Sequence, residues 1–176
     1  MPDYMLLANV FSLLSAIMLV ASSFASTKKW LLYMQTADAL FAGIACIVCG
    51  SYAAASVDLL SSARNVLTAR GVTRRWVCVV FCAALVAIGI AINNKGIIGY
   101  LTIAASLEYT VVMMTTSDVC LTRLALMANI ACWLIHDVYM VLVPSACVDI
   151  VVLVVTSVKL VQELIARRRT AVDTES

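Results

Sequence analysis

The sequence contains few charged residues, two prolines and a single histidine. Charged residues make up 12% of the 176 positions, the prolines are Pro2 and Pro144, and the histidine is His136. No polar stretch is long enough to fold as a water-soluble domain. The sequence also lacks an H-E-x-x-H motif, a nucleophile elbow, a phosphate-binding loop and the cysteine–histidine spacing of a metal site. We therefore expect no enzyme and no metal ion or other cofactor.

Hydrophobic residues are abundant, at 64% of the chain. A membrane-spanning helix needs about 20 apolar residues. Runs of about that length follow one another with short connections, at residues 4–25, 31–49, 51–69, 76–92, 97–115, 121–143 and 146–166. This pattern predicts an all-α membrane protein with seven transmembrane helices, for which the lipid bilayer is a partner.

The basic residues indicate the direction of these spans. When the spans alternate, eleven of the twelve Lys and Arg residues fall at one face, and Lys95 alone falls at the other. Short loops rich in Lys and Arg stay cytoplasmic, so we expect a periplasmic N-terminus and a cytoplasmic C-terminus. Because the net charge of +2 is spread over these loops, we expect no nucleic-acid partner. Arg64 and Lys159 lie inside spans, and we expect their side chains to extend to the cytoplasmic interface.

The third span, residues 51–69, is the most polar of the seven. It contains Asp58, Arg64, Asn65 and four serines, so hydropathy alone favours a loop. Without this span, however, the basic loops on its two sides would lie on opposite faces of the membrane. A helix of this composition is stable in lipid only if its polar face is covered by neighbours or lines a wet cavity. A six-span or re-entrant arrangement is the alternative.

The two halves of the chain show a weak internal similarity. A shift of 94 positions places residues 4–51 on residues 98–145, matching Ser12 with Ser106 and Gln35 with Asn129. One further inserted residue sets 61–64 against 156–159. The match predicts that spans 1–3 and 5–7 are parallel copies, with span 4 as an inverting linker. Repeats around a site near the midplane are common in secondary transporters.

Several residues of the first half carry a family resemblance: the segment S-T-K-K-W-L-L-Y-M-Q from Ser26, then Phe41, Gly50, Ala53 and Ala63-Arg64-Asn65. Over residues 26–66 the chain resembles the YgjV-type bacterial inner-membrane proteins of the MtN3-like superfamily. This superfamily also contains the SWEET sugar transporters, the PQ-loop transporters and the KDEL receptor. The resemblance implies a multi-pass protein of the bacterial inner membrane with a SWEET-like 3+1+3 arrangement. Each triple-helix bundle would be packed in the order 1-3-2.

These expectations divide the chain into residues 1–69 as the first bundle, 70–95 as the linker helix, 96–166 as the second bundle and 167–176 as a cytoplasmic tail. The chain departs from the transporting relatives in one respect. SWEET and PQ-loop proteins carry a hinge proline in the first helix of each bundle, whereas here both prolines lie at span ends. Gln35 follows Met34, so a proline-hinged transport cycle is not indicated.

Polar residues within spans are the best indicators of function, because a charged side chain there costs about 2.5–3.5 kcal/mol on insertion scales. Six of the ten carboxylates lie in spans: Asp38, Asp58, Glu108, Asp137, Asp149 and Glu163. Asp137 and Asp149 are close to the ends of their spans, where contact with water is an alternative. We predict a substrate pathway lined by the residues that share polar helix faces: Gln35, Asp38, Asp58, Asn65, Glu108, Asn129, Trp133 and His136.

Two functions fit this pattern. The first is a small-solute transporter with a cavity between the two bundles, in which the excess of acidic residues favours a cationic or neutral polar solute, or a proton. Trp133 and Asn129 would then hold a polar ring-shaped solute by stacking and hydrogen bonding. The second is a non-transporting protein that binds lipid or a partner, with Asp38 and Asp58 hydrogen-bonded to serines between helices. A homo-oligomer is compatible with both.

Overall fold

A computed structural model describes residues 3–22, 28–72, 74–116 and 118–175. These residues form seven helices: α1 Asp3–Ser22, α2 Lys28–Val48, α3 Tyr52–Ala69, α4 Arg75–Ala91, α5 Ile97–Thr115, α6 Val119–Met140 and α7 Val143–Glu175. Each helix overlaps one apolar run, and the bounds of α1 to α6 agree with their runs to within a few residues. Ser26 and Thr27, which begin the segment of family resemblance, and Pro2 lie outside the described residues, as do the side chains of Lys28 and Arg167–Arg169.

Three of the described helical stretches are long and apolar enough to cross a membrane: Asp3–Ser22, Ile97–Thr115 and Val143–Gln162. Two shorter apolar stretches are Leu32–Val48 and Arg75–Ala91. The polar α3 is not in either group, yet it is helical throughout Tyr52–Ala69. The last helix continues to Glu175, so residues 167–175, which we expected to form a separate tail, extend α7.

Six of the described helices form a closed ring in the order α1, α2, α3, α5, α6, α7. Within each half the middle helix lies between the other two, because α2 packs against α1 and α3, and α6 packs against α5 and α7. The expected 1-3-2 order is therefore wrong for the described residues. Contacts between α3 and α5 and between α7 and α1 join the halves. The fourth helix lies outside the ring and packs on α3 and α5.

Small residues allow α2 and α3 to pack closely. Ala45, Ala53, Ala54 and Ala55 are all buried, and a methyl group at Gly43 would lie 3.3 Å from the Cβ atom of Asp58. Small side chains are the usual means by which membrane helices approach one another. This packing covers one polar face of α3, which explains how a helix with so many polar residues is accommodated.

Hydrogen bonds from α1 to the start of α7 close the ring. The Oγ atoms of Ser12 and Ser145 are 2.7 Å apart, and the backbone N–H of Ser145 also donates to Ser12 Oγ at 3.0 Å. The N–H of Val143 donates to Asn9 Oδ1 at 3.1 Å. A helix has no internal partners for its first N–H groups. The side chains of α1 accept from two of these groups in α7, so the two helices are joined by polar contacts of defined register.

The turn between α2 and α3 has the same hydrogen bonding as the turn between α6 and α7. In the first turn, Ser51 N–H donates to Cys46 O at 2.7 Å. In the second, the residues 91 positions later make the same bond, from Leu142 N–H to Asp137 O at 2.9 Å. The two turns are therefore equivalent at a shift of 91 residues.

This shift corrects the register that we expected for the repeat. The first helices of the two halves begin at Asp3 and Ile97, in agreement with a shift of 94. From the second helices onward the shift is 91, so Asn129 corresponds to Asp38 and not to Gln35. The difference lies in a shorter connection between α5 and α6. Apolar helices match one another at many shifts, so the sequence did not reveal this gap.

The same two turns share a left-handed backbone conformation, which favours glycine. Only the first turn has a glycine at this position. Gly50 has φ of 74°, and Val141, 91 residues later, has φ of 60° and ψ of 36°. A β-branched residue in the left-handed region is strained, at a cost of about 1–2 kcal/mol. Val141→Gly should therefore raise the Tm of the purified protein by a few degrees. Val143→Gly, at the neighbouring exposed position, is the control, and an equal rise in both variants would contradict the assignment of strain to Val141.

Candidate functional site

A cavity of about 160 Å³ is lined by residues from the six helices of the ring and by none from α4. This volume is smaller than the roughly 300–1,000 Å³ of pockets for drug-sized ligands, so it suits a small solute or a few water molecules. The polar and aromatic side chains of its wall are Ser15, Gln35, Asp38, Asp58, Ser61, Arg64, Asn65, Ser106, Tyr109, Asn129, Trp133, Asp137, Ser145 and Asp149.

Six of the eight residues that we predicted for a substrate pathway are in this wall: Gln35, Asp38, Asp58, Asn65, Asn129 and Trp133. Glu108 is not in the wall and is exposed on the outside of α5. His136 is fully buried and lies behind the wall. All the predicted residues of α2 and α3 therefore line the cavity, whereas nothing in the sequence indicates which way α5 presents Glu108.

His136 connects the cavity wall to the turn between α2 and α3. Its Nε2 atom is 2.9 Å from Ser51 Oγ, and its Nδ1 atom is 2.8 Å from Asp137 Oδ1. Its ring lies edge-on to Trp133, with 5.4 Å between the ring centroids. The order Ser–His–Asp is that of a hydrolase triad, but Ser51 is 0% exposed, so no substrate reaches its hydroxyl. These contacts hold Asp137 and Trp133 in place.

The four carboxylates of the wall differ in their hydrogen bonding. Asp38 Oδ1 accepts from Ser15 Oγ at 2.6 Å, which joins α1 to α2. Asp137 is paired with His136. Asp58 Oδ2 and Asp149 Oδ2 are buried and have no hydrogen-bond partner among the described residues. A buried acceptor without a partner costs about 1–3 kcal/mol, so these two atoms are the places where a ligand with N–H or O–H donors would gain most.

Asp58 and Asp149 are equivalent in the two halves of the ring, because they are 91 residues apart and each is the seventh residue of its helix. Each is 7% exposed. Each interacts electrostatically with both Asp38 and Asp137. We expected Asp137 and Asp149 to be candidates for contact with water at the outer interface, and in the structure both are buried in the wall of the cavity.

Arg64 is also in the wall, and our expectation that it extends to the cytoplasmic interface was wrong. It is 5% exposed, and its Nε and Nη2 atoms donate to Asn65 Oδ1 at 3.3 and 3.1 Å. Its Nη1 donates to Thr110 Oγ1, and its guanidinium lies 5.7 Å from the centroid of the Tyr109 ring. These partners fix the guanidinium inside the ring. Lys159, by contrast, is exposed on α7.

The lining of α2 is repeated in α6. Gln35, Asp38, Ala39, Ala42 and Cys46 line the cavity, and so do the five residues 91 positions later, Leu126, Asn129, Ile130, Trp133 and Asp137. The two helices thus present the same face to the same space with different side chains. The correct repeat register would have identified Asp149 from Asp58, whereas the partner of Asp137 is Cys46, which gives no polar signal.

The acidic residues of the wall do not converge on one point. Among the described residues, no group of three or more His, Cys, Asp or Glu side chains is placed to hold a metal ion. The cavity is therefore a space with separate polar contacts around it. Arg64 and Asp58 belong to α3, while the other three carboxylates come from α2, α6 and α7.

A comparison with known families agrees with the picture of an apolar helical chain that has a buried polar wall. The sequence model of the Imp-YgjV family, described as bacterial inner membrane protein, matches residues 6–165. The chain belongs to this family. The match covers all the cavity residues, so the cavity lies within the family's shared region. Searches of curated proteins and of solved structures give no match.

Proposed function

We propose that this Imp-YgjV family member is a transporter for a small cationic solute, which it binds in the cavity enclosed by the six-helix ring. The observation that carries the proposal is the pair of unpartnered, buried carboxylate oxygens on Asp58 and Asp149. Buried polar atoms in folded proteins nearly always have partners. Two equivalent exceptions that line one cavity are best explained by a solute that supplies the missing donors.

The charges of the wall favour a cation. Four aspartates and one arginine line the cavity, so acidic groups outnumber basic groups around it. A positively charged N–H donor satisfies an unpartnered carboxylate oxygen and reduces the repulsion at the same time. Trp133 adds an aromatic surface of the kind that attracts cations. We therefore propose a small amine as the chemical class of the solute, and not a catalytic role for the site.

We further propose that all seven helices cross the membrane in a 3+1+3 arrangement, with the N-terminus periplasmic. A rotation that exchanges the halves would map α1–α2–α3 onto α5–α6–α7, and it would also exchange the α3–α5 contact with the α7–α1 contact. The ring contains both contacts, which supports this repeat. Trp30 and Trp76, exposed at the beginnings of α2 and α4, suit an interface at the end where the basic loops lie.

A non-transporting role is the second candidate, and one contact favours it. The hydrogen bond from Ser15 to Asp38 joins two helices, as expected if the polar residues serve only to hold the ring together. On this hypothesis the unpartnered oxygens of Asp58 and Asp149 would be bonded to trapped water.

The experiment that separates the two candidates is solute-induced current across a solid-supported membrane carrying purified protein in liposomes. Addition of a short alkylammonium ion at neutral pH is expected to give a transient current that saturates with concentration. Protein-free liposomes and an alkylcarboxylate of equal length are the controls. Binding without current would indicate a non-transporting binding protein, and neither binding nor current would contradict the proposal as a whole.

A further inference from the structure

Arg64 has an unusual environment for a buried charge. Among the described residues, no carboxylate lies within ion-pair distance of its guanidinium, and its partners are the neutral side chains of Asn65, Thr110 and Tyr109. Burial of a charge without a counter-charge is costly. Because this guanidinium lines the same cavity as the aspartates, the missing counter-charge has a natural source in a bound solute.

The hydrogen bonds of Arg64 leave a defined donor pair free. A guanidinium has five N–H groups, one on Nε and two on each Nη. Nε and one N–H of Nη2 donate to Asn65, and one N–H of Nη1 donates to Thr110. One N–H therefore remains on each Nη atom. Two Nη hydrogens on one planar group can both donate to the oxygens of a carboxylate.

The acidic and basic contacts of the cavity are separated along α3. Asp58 and Arg64 are six residues apart on this helix, which corresponds to about 9 Å along its axis. A solute that contacts both needs a positive group and a negative group at a distance, with a chain of several bonds between them. An α-amino acid without a charged side chain holds its two groups too close together for both contacts.

We propose that the solute is a zwitterion with an ammonium group at one end and a carboxylate at the other, held by Asp58 and Arg64 respectively. This inference rests on the proposed function: it keeps the amine as the group bound by the aspartates and adds a carboxylate to the same solute. The ammonium group supplies donors to the unpartnered Asp58 Oδ2, and the carboxylate accepts from the free Nη1 and Nη2 hydrogens of Arg64. The neutral partners Asn65 and Thr110 position the guanidinium without neutralising it.

The test measures binding to the purified, full-length protein by isothermal titration calorimetry with three series of equal chain length. These are ω-amino acids with two to six methylene groups, alkylamines and diamines. The longer ω-amino acids are expected to bind at least tenfold more tightly than the alkylamines of the same length. The shortest ω-amino acid should bind no more tightly than the alkylamine of its length. Equal affinity of alkylamines and ω-amino acids across the series in the unmodified protein would overturn the proposal.

Two variants locate the effect. Arg64→Gln is expected to lower the affinity for the ω-amino acid to that of the alkylamine of equal length. Lys159→Gln removes an exposed basic residue outside the cavity and should change neither. If Arg64→Gln does not fold, the comparison of the three series in the unmodified protein still tests the zwitterion proposal. Alkylamine binding that depends on Asp58 but shows no gain from a carboxylate would contradict the zwitterion and leave the cation proposal standing. A chain that binds no amine would contradict both.

Discussion

Replacing Asp58 with asparagine is expected to abolish amine-driven transport, to the level of protein-free liposomes, while the protein still folds. Asparagine has nearly the same volume as aspartate, so the close packing against Gly43 is kept. Its amide group, however, carries no charge, and one of its two polar atoms is a donor instead of an acceptor. A solute that supplies N–H donors to the Asp58 carboxylate therefore loses its partner, while the Tm should change by only a few degrees.

Glu108→Gln is the matched control for this change. It removes a carboxylate of the neighbouring helix α5 that is exposed and does not line the cavity. Transport by this variant should equal that of the unmodified protein. If Asp58→Asn retained more than half of the current, or if Glu108→Gln lost it equally, the role of the cavity in transport would be contradicted. A shift in Tm without any effect on binding or current would favour the structural role of Asp58.

Replacing His136 with leucine should give the largest loss of stability of any single change proposed for this chain. Leucine fills the space but leaves Ser51 Oγ and Asp137 Oδ1 without their 2.9 and 2.8 Å contacts in a region where His136 is 0% exposed. Each buried polar group left without a partner costs about 1–3 kcal/mol, and more if it is charged. We expect a total of about 3–5 kcal/mol, which corresponds to a fall in Tm of the order of 10 °C.

Thermal unfolding of the detergent-purified variants, followed by tryptophan fluorescence, measures this loss. Tyr139→Phe on the same helix is the control. Because Tyr139 is 59% exposed, this variant should have the same Tm as the unmodified protein. His136→Gln keeps polar groups at the site, so its Tm should lie between those of His136→Leu and Tyr139→Phe. A His136→Leu variant that melts within about 2 °C of the control would contradict a stabilising role for the Ser51–His136–Asp137 contacts.

The helices were predictable because length and apolarity mark them directly. The α3 helix, whose composition favours a loop, was predicted from the basic residues, because Lys29 and Arg70 fall on one face only if residues 51–69 form a span. The structure is helical over this segment. What the sequence could not provide was the packing. The order of helices within each half depends on which faces fit together, and hydropathy, which measures only the average tendency to enter lipid, carries no information about it.

The errors at the site have related causes. Arg64 was expected at the interface because a long basic side chain can reach water, and that rule cannot anticipate that Asn65, Thr110 and Tyr109 hold it inside the ring. The shift of 94 residues was carried past a connection that is shorter in the second half, so the correspondence of Asp58 with Asp149 was missed. Side-chain direction and small gaps, not composition, limited the prediction.

The ring closes between its first and last helices, and this fixes when the cavity is completed during synthesis. The hydrogen bonds that the N–H groups of Val143 and Ser145 donate to Asn9 and Ser12 join segments more than 130 residues apart in the chain. A ribosome therefore delivers Asp38 and Asp58 well before α7 is available to seal the wall beside them. Until then the partly made protein leaves these carboxylates beside an open side of the ring. A chain that stops short of the final helix has no enclosed site at all.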